Sequence, residues 1–269
     1  MIKKLITYML LIISSLIIFF PVLFALLASF LTPSQLSRGQ YIPTSMSLDS
    51  YISVFQDVPL LKFLFNSFIV SSTVTIGQLL LCSLAAFAIV FIPFKGRNVV
   101  FFMFISTLLI PWEAVMIPNF ITIINFNWLN SYLALTVPFI TTAFGIFLLR
   151  QHYKMIPKEL HESAQMDGCS NFRFYWSFAL PLSVPMLSAL AIYAFLTTWN
   201  MYLWPLLVTS NNDARTVQIG VRMMISQESA TSWNTIMAGV IIILIPTLLI
   251  LIIGIKQLRQ GLMSGSLKG

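Results

Sequence analysis

Glu113, Trp199, Asn200, Tyr202 and Trp204 give this apolar sequence its main means of handling a polar solute. Glu113 is the one carboxylate well inside an apolar run, where insertion scales set the cost of a charge at about 2.5–3.5 kcal/mol. Such a group faces a bundle interior or a partner, or else sits structurally at the outer interface beside Pro111, Trp112 and Pro118. The other four place hydrogen-bonding groups beside aromatic faces, which suits sugar hydroxyls, although Trp and Tyr also collect at membrane interfaces without any ligand. A phosphate needs cationic donors or helix N-termini. The sequence places no Lys or Arg inside its apolar spans, so a partner chain would have to supply the cations.

Other chemistry is excluded by what is missing. No G-x-x-x-x-G-K-[ST] loop occurs, so the chain does not hold nucleotide in the P-loop manner. His152 and His161 lack metal-ligand spacing and a paired nucleophile, and read as surface histidines; neither a metal site nor a catalytic constellation is expected. Cys82 and Cys169 fall in an apolar helix and on the cytoplasmic side, where thiols stay reduced.

A polar segment, Ile156 to Gly168, interrupts the apolar chain. Pro157 suits a first helical turn, and Glu159 and Glu162 favour the positive end of a helix running from Pro157 to Met166. Asp167-Gly168 ends it through a left-handed glycine, and Ser170 caps a second short helix carrying Phe172, Phe174, Tyr175 and Trp176, stopped by Leu180-Pro181. Leu160, Ala164 and Met166 are its apolar members. The small Ser163 and Ala164 admit close approach of a partner's backbone, a helix-in-groove contact; the plain alternative is a surface connector.

The elements that carry these residues follow from composition. With 58% hydrophobic and 9% charged residues, and a mean hydropathy of +0.90, the sequence lies far outside the soluble range. Uncharged runs of this length predict an all-α membrane protein with six transmembrane helices, at about 5–30, 66–92, 98–118, 131–150, 184–208 and 234–256. They form a single transmembrane domain, 1–269, with the hairpin (about 151–183) between the fourth and fifth helices. The first helix is too long for a signal peptide and reads as a retained anchor. Pro33, Gly39, Pro43 and Pro59 break the loop from Thr32 to Phe65, where Ser47-Leu48-Asp49 caps a short helix; Asn119 to Asn130 is a second, shorter loop with Asn125, Asn127 and Asn130 as turn formers. Eleven of the fifteen Lys and Arg fall on the side of both termini and the hairpin, which places that side in the cytoplasm. The net charge of +7 reflects this topology and anionic lipid headgroups, not nucleic acid.

Glu162-Ser163-Ala164-Gln165-Met166-Asp167-Gly168, followed by Phe174, Leu180-Pro181-Leu182 and Pro185, resembles the EAA loop of ABC importer permeases, with Ser163 in place of the usual first alanine. The tail from Gly261 to Gly269 is similar to the ending of the shorter permease of maltose-type carbohydrate importers. This resemblance implies half of a translocation path in the bacterial inner membrane. It also implies a second permease, a pair of cytoplasmic ATPases that bind the ATP, an extracytoplasmic solute-binding protein, and no cofactor in this chain. Glu162, Ser163, Ala164, Asp167, Gly168, Leu180 and Pro181 would then couple the permease to the ATPase. Pro111 to Phe120, Trp199 to Pro205 and Thr216 to Gly220 look most like the permease of glycerol-3-phosphate importers, with an oligosaccharide as the other substrate class. A secondary carrier would show ionisable relays and an inverted repeat within the spans; a membrane scaffold would show the hairpin docking a partner without solute flux.

Overall fold

The computed structural model describes residues 2–226 and 232–264, with side chains over 4–226 and 232–255, and no strand occurs among them. Helix closes the backbone hydrogen bonds locally, as lipid demands. α1 (Ile2–Ser29) leads through the short α2 (Pro33–Ser37) and α3 (Asp49–Asp57) to α4 (Leu60–Phe91), α5 (Arg97–Thr107) and α6 (Trp112–Asn125). α7 (Tyr132–Thr136) and a 3-10 turn (Val137–Phe139) precede α8 (Ala143–Tyr153). α9 (Lys158–Met166) and α10 (Asn171–Phe174) form the hairpin, and a π turn (Tyr175–Ala179) joins α10 to α11 (Leu180–Leu182). α12 (Val184–Trp199), α13 (Leu203–Val208), α14 (Val217–Ser226) and α15 (Trp233–Ser264) follow. Of the tail, Gly261 to Ser264 continue α15, and 265–269 lie outside the described residues.

Three helices are long and apolar enough to cross a bilayer unaided: α1 over Lys4–Ser29, α4, and α15 over Trp233–Ile255. Three further regions reach that length only as bent pairs, α5 with α6 at 97°, α7 with α8 at 41°, and α10–α11 with α12 at 77°. The helices expected to run unbroken over 98–118 and 184–208 are both interrupted, and the one expected over 131–150 is interrupted at 140–142. Proline explains the first break: Pro111 lacks the N–H to continue α5 and pushes Ile110 out of helical geometry, so α5 frays through turns at Leu108, Leu109 and Ile110 before α6 begins. In the second, Asn200 ends α12 and a short non-helical stretch precedes α13. Leu180-Pro181 does not stop the return helix. It runs on to Leu182 and bends at Ser183, because loss of the Pro181 N–H is absorbed by the wider π turn upstream. α6 also extends to Asn125 into the expected loop, leaving Asn127 and Asn130 with φ of 55° and 59° as the turn formers.

The fold divides into two compact units. Met1–Leu64 with Val217–Leu248 form the first. Its polar links are local: Asn234 Nδ2 donates to Leu31 O (3.1 Å) and Ser50 Oγ (2.8 Å), and the Ser29 and Tyr51 hydroxyls lie 2.7 Å apart. Ser47 Oγ accepts from the Asp49 N–H at 3.0 Å, the cap expected for α3. α1 leaves its apolar side chains from Leu5 to Phe20 exposed, as a lipid-facing helix does.

Phe65–Thr216 with Leu249–Gly269 form the second unit, which carries the hairpin. One core gathers Phe87, Phe91, Tyr153, Phe174 and Tyr175; another gathers Val70, Leu135, Trp204 and Val208. A stripe of polar residues on α4 faces inward: Ser67, Ser71, Thr75, Gln78 and Cys82 recur at three- and four-residue spacing, with Asn66 and Ser83 beside them, all buried. Asn66 Nδ2 donates to Asp213 O and Arg215 O, both at 2.9 Å, and its Oδ1 accepts from Tyr132 OH at 2.6 Å. Gln78 Nε2 donates to Phe139 O at 2.9 Å. These bonds pin α4 to neighbouring segments in surroundings where hydrophobic attraction between helices is weak.

Candidate functional site

The hairpin begins at Pro157, whose extended backbone (ψ 134°) caps α9 and accepts from the Leu160 N–H at 3.2 Å. Its far end closes with a paired bond pattern: Gly168 N–H donates to Gln165 O (3.0 Å) and Cys169 N–H to Ala164 O (2.9 Å). That is a Schellman closure, and it requires the left-handed backbone that Gly168 adopts at φ +76°. Ser170 Oγ then accepts from the Arg173 N–H at 3.3 Å and starts α10. Pro157, Gly168 and Ser170 thus set a nine-residue helix between a fixed start and a fixed stop.

Which face of α9 is free is decided by packing. Leu160 and Ala164 turn into the core formed by the ends of α4 and α8. Ala164 is only 7% exposed, so it is not the open backbone platform expected from the sequence, whereas the apolar Met166 is 89% exposed. The His161 ring lies 5.0 Å from Phe91 and 4.7 Å, edge-on, from Phe174, with Nε2 3.2 Å from Asn171 Oδ1. Glu162, Ser163, Met166, Asp167 and Gly168 form the outward surface. Ser163 Oγ bonds back to Leu160 O at 3.1 Å, so its hydroxyl adds little bulk to that surface. Leu180 is half-buried against the same core and Pro181 is exposed, both at the bend rather than on the hairpin tip.

Behind α9 a run of ring contacts leads into the membrane-spanning helices. Phe91 packs on Phe174 (5.4 Å) and Tyr153 (6.1 Å), and Phe87 on Tyr175 (5.2 Å). These contacts join the hairpin to α4 and α8 through one closely packed set of rings.

The five solute-handling candidates separate into two groups. Trp204 is fully buried; its Nε1 donates to Ala134 O at 2.9 Å, and its rings pack against Trp112 and Phe139 at 5.6 and 6.0 Å. Trp199 is also buried, stacked on Phe195 at 5.7 Å. Both indoles hold structure. Glu113 and Asn200 are exposed and Tyr202 is half-exposed. Glu113 occupies the first turn of α6, not mid-helix as expected, where the positive helix end favours a carboxylate. Asn200 terminates α12 and returns its Nδ2 to Leu196 O at 2.8 Å. Through the Trp112–Trp204 contact, the break before α6 lies near α13, just past the break that Asn200 begins. Broken helices offer backbone polar groups to a solute at membrane depth; the sequence signal for the first was Pro111, hidden in a continuous apolar run.

Among the described residues no group of three or more His, Cys, Asp or Glu is arranged to hold a metal ion. Cys82 is buried and Cys169 partly exposed, both as free thiols.

A family model described as binding-protein-dependent transport system inner membrane component matches residues 78–263. The sn-glycerol-3-phosphate transport system permease protein UgpE of Yersinia enterocolitica is 36% identical over 264 residues, covering 95% of this chain and 94% of the relative. UgpE of Brucella abortus is 32% identical over 271 residues, covering 97% and 96%. The solved structure of a bacterial ABC transporter involved in the import of the acidic polysaccharide alginate contains a chain with the same fold, at TM-score 0.86 and 21% identity, covering 95% of this chain and 96% of that one. Apolar helices in a permease fold, and full-length relatives that are transport components rather than enzymes, lead to one assignment: the chain belongs to the binding-protein-dependent transport system inner membrane component family, as a multi-pass permease subunit of an ABC importer.

Proposed function

We propose that this permease pairs with a second, non-identical permease to enclose a path for sn-glycerol-3-phosphate, and that its α9 hairpin seats on a cytoplasmic ATPase of a dimer that binds the ATP. An extracytoplasmic binding protein delivers the solute. The observation that carries the coupling role is the outward face of α9, where Glu162, Met166 and Asp167 are exposed while Leu160 and Ala164 anchor the same helix to the ends of α4 and α8. Gly168 fixes the tip, and Leu180-Pro181 lead into the bend at Ser183 through which the return helix re-enters the membrane. In this reading the three straight and three bent spans make six crossings of one permease domain, 1–269, with both termini cytoplasmic, as the basic flanks favour. ATP then shifts the permease pair between outward- and inward-facing forms by binding one of them better.

Glu113, Asn200 and Tyr202 face the path, backed by Trp199 and Trp204. The glycerol-3-phosphate assignment rests on the names of relatives matched over nearly the whole chain. An oligosaccharide is the competing substrate, favoured by the same aromatic and amide groups. The assembled transporter in proteoliposomes should accumulate labelled sn-glycerol-3-phosphate only with ATP inside the ATPase-bearing compartment and binding protein opposite. Preferential accumulation of a labelled oligosaccharide overturns the substrate; accumulation without ATP overturns the coupling.

A further inference from the structure

A cavity of about 320 Å3 opens where the ends of α4 and α8 meet the start of α5 and the hairpin. Arg97, Arg150, Lys154 and Lys158 line it, with His161 and a single lining carboxylate, Glu162. Basic residues at the ends of spans ordinarily reach out toward headgroups and water. Arg150 does not. It is 9% exposed, its guanidinium carbon sits 3.6 Å over the Phe101 ring, and its Nε is buried with no hydrogen-bond partner among the described residues. Arg150 lines the cavity with three further cations against one carboxylate, so the cavity carries a net positive charge that suits an anion. Partial desolvation, and then the Arg150 and Arg97 charges, pull the Lys154 ammonium below its ordinary range, as crowded cations do without a counter-charge.

Ile89, Val90, Phe91 and Ile156 give the same cavity an apolar face beside its cations. We propose that the cavity takes the phosphate of an anionic phospholipid of the cytoplasmic leaflet, whose acyl chains lie along that face. Basic pockets between spans at a membrane surface recognise headgroups in this way. A bound headgroup would sit against α4, α8 and α9 at once, so it would stiffen the base of the hairpin.

The leaflet named rests on the orientation proposed above. Labelling of Cys169 by a membrane-impermeant maleimide tests that orientation by itself: reaction only in inside-out vesicles supports it, and reaction in intact cells overturns it without touching the cavity. For the cavity, native mass spectrometry of the assembled transporter, purified from nanodiscs of mixed phosphatidylglycerol and phosphatidylcholine, reads which lipid stays bound. Phosphatidylglycerol should be retained in preference. Retention should fall about tenfold in Arg150→Gln, and likewise in Arg97→Gln/Lys154→Gln, which alters only exposed side chains should the first variant fold poorly. Lys95→Gln, on the same loop but outside the cavity, should retain lipid as the parent does. Equal retention of both lipids, an equal loss in Lys95→Gln, or displacement by millimolar inorganic phosphate each overturns the proposal, the last by making the site one for free phosphate.

Discussion

The Ser83 hydroxyl lies 2.6 Å from the Tyr175 hydroxyl, both side chains buried, and this bond ties the inner face of α4 to the π turn that leads back from the hairpin. Ser83 also bonds Leu80 O at 3.0 Å, so it keeps a partner when Tyr175 loses its hydroxyl. Tyr175→Phe should therefore cost about 0.6 kcal/mol in thermal unfolding of the purified transporter, the mean for such bonds between membrane helices. Uptake per ATP hydrolysed should fall further than that loss explains, with coupling weakened by about 0.5–2 kcal/mol.

Gly168 has open space around it: an added Cβ meets nothing within 4 Å. Only its positive φ limits substitution. Gly168→Val should loosen the Schellman closure at a backbone cost of about 1–2 kcal/mol or more, while Gly168→Asn, a residue that visits this conformation, should be nearly silent. Retention of the ATPase on affinity-purified permease separates the two variants; equal retention means the tip conformation is not used in docking.

The two faces of α9 should respond differently. Glu162→Lys changes an exposed charge, so the permease should melt as the parent does while ATP-driven uptake drops more than tenfold. Ala164→Leu forces extra volume into a packed core and should lower thermal stability by about 1–3 kcal/mol. If Glu162→Lys lowers stability as much as Ala164→Leu, the assignment of outer and inner faces fails.

Among the solute-handling candidates, Trp204→Ala should cost about 3–5 kcal/mol of stability, because a fully buried ring and its bond to Ala134 O are lost together. Asn200→Ala and Glu113→Gln, both at exposed positions, should leave melting within about 1 kcal/mol of the parent. Their effect should appear in the concentration dependence of uptake instead. Unchanged uptake in both variants removes them from the path.

The hairpin was legible because its signals are local. Pro157, Gly168 and Ser170 each act within one turn of their own position, so start, stop and restart of α9 and α10 follow from residue type. The free face of α9 was not legible. A nine-residue helix with Leu160, Ala164 and Met166 offers two plausible apolar faces, and only the position of Phe91 and Phe174 selects Ala164 for burial and leaves Met166 out. The breaks at Pro111 and Asn200 were hidden for another reason: hydropathy averaged over a membrane-length window is blind to a turn made of apolar residues such as Leu108-Leu109-Ile110. Arg150 shows the same limit for charge. Counting it on the flank of a span gives an expectation for its side of the membrane, but says nothing of its burial beneath Phe101.

The central claim, that the outer face of α9 docks the ATPase, is tested most directly by cross-linking. Met166→Cys, in a Cys169→Ser background, presents one thiol at the most exposed point of that face, Cys82 being buried. A short maleimide–benzophenone cross-linker, attached to this thiol and photo-inserted into neighbouring C–H bonds, should join it to the ATPase in the assembled transporter, with a yield that changes between nucleotide-free and ATP-bound states. An ATPase that co-purifies fully yet gives no cross-linked product in either state contradicts the account.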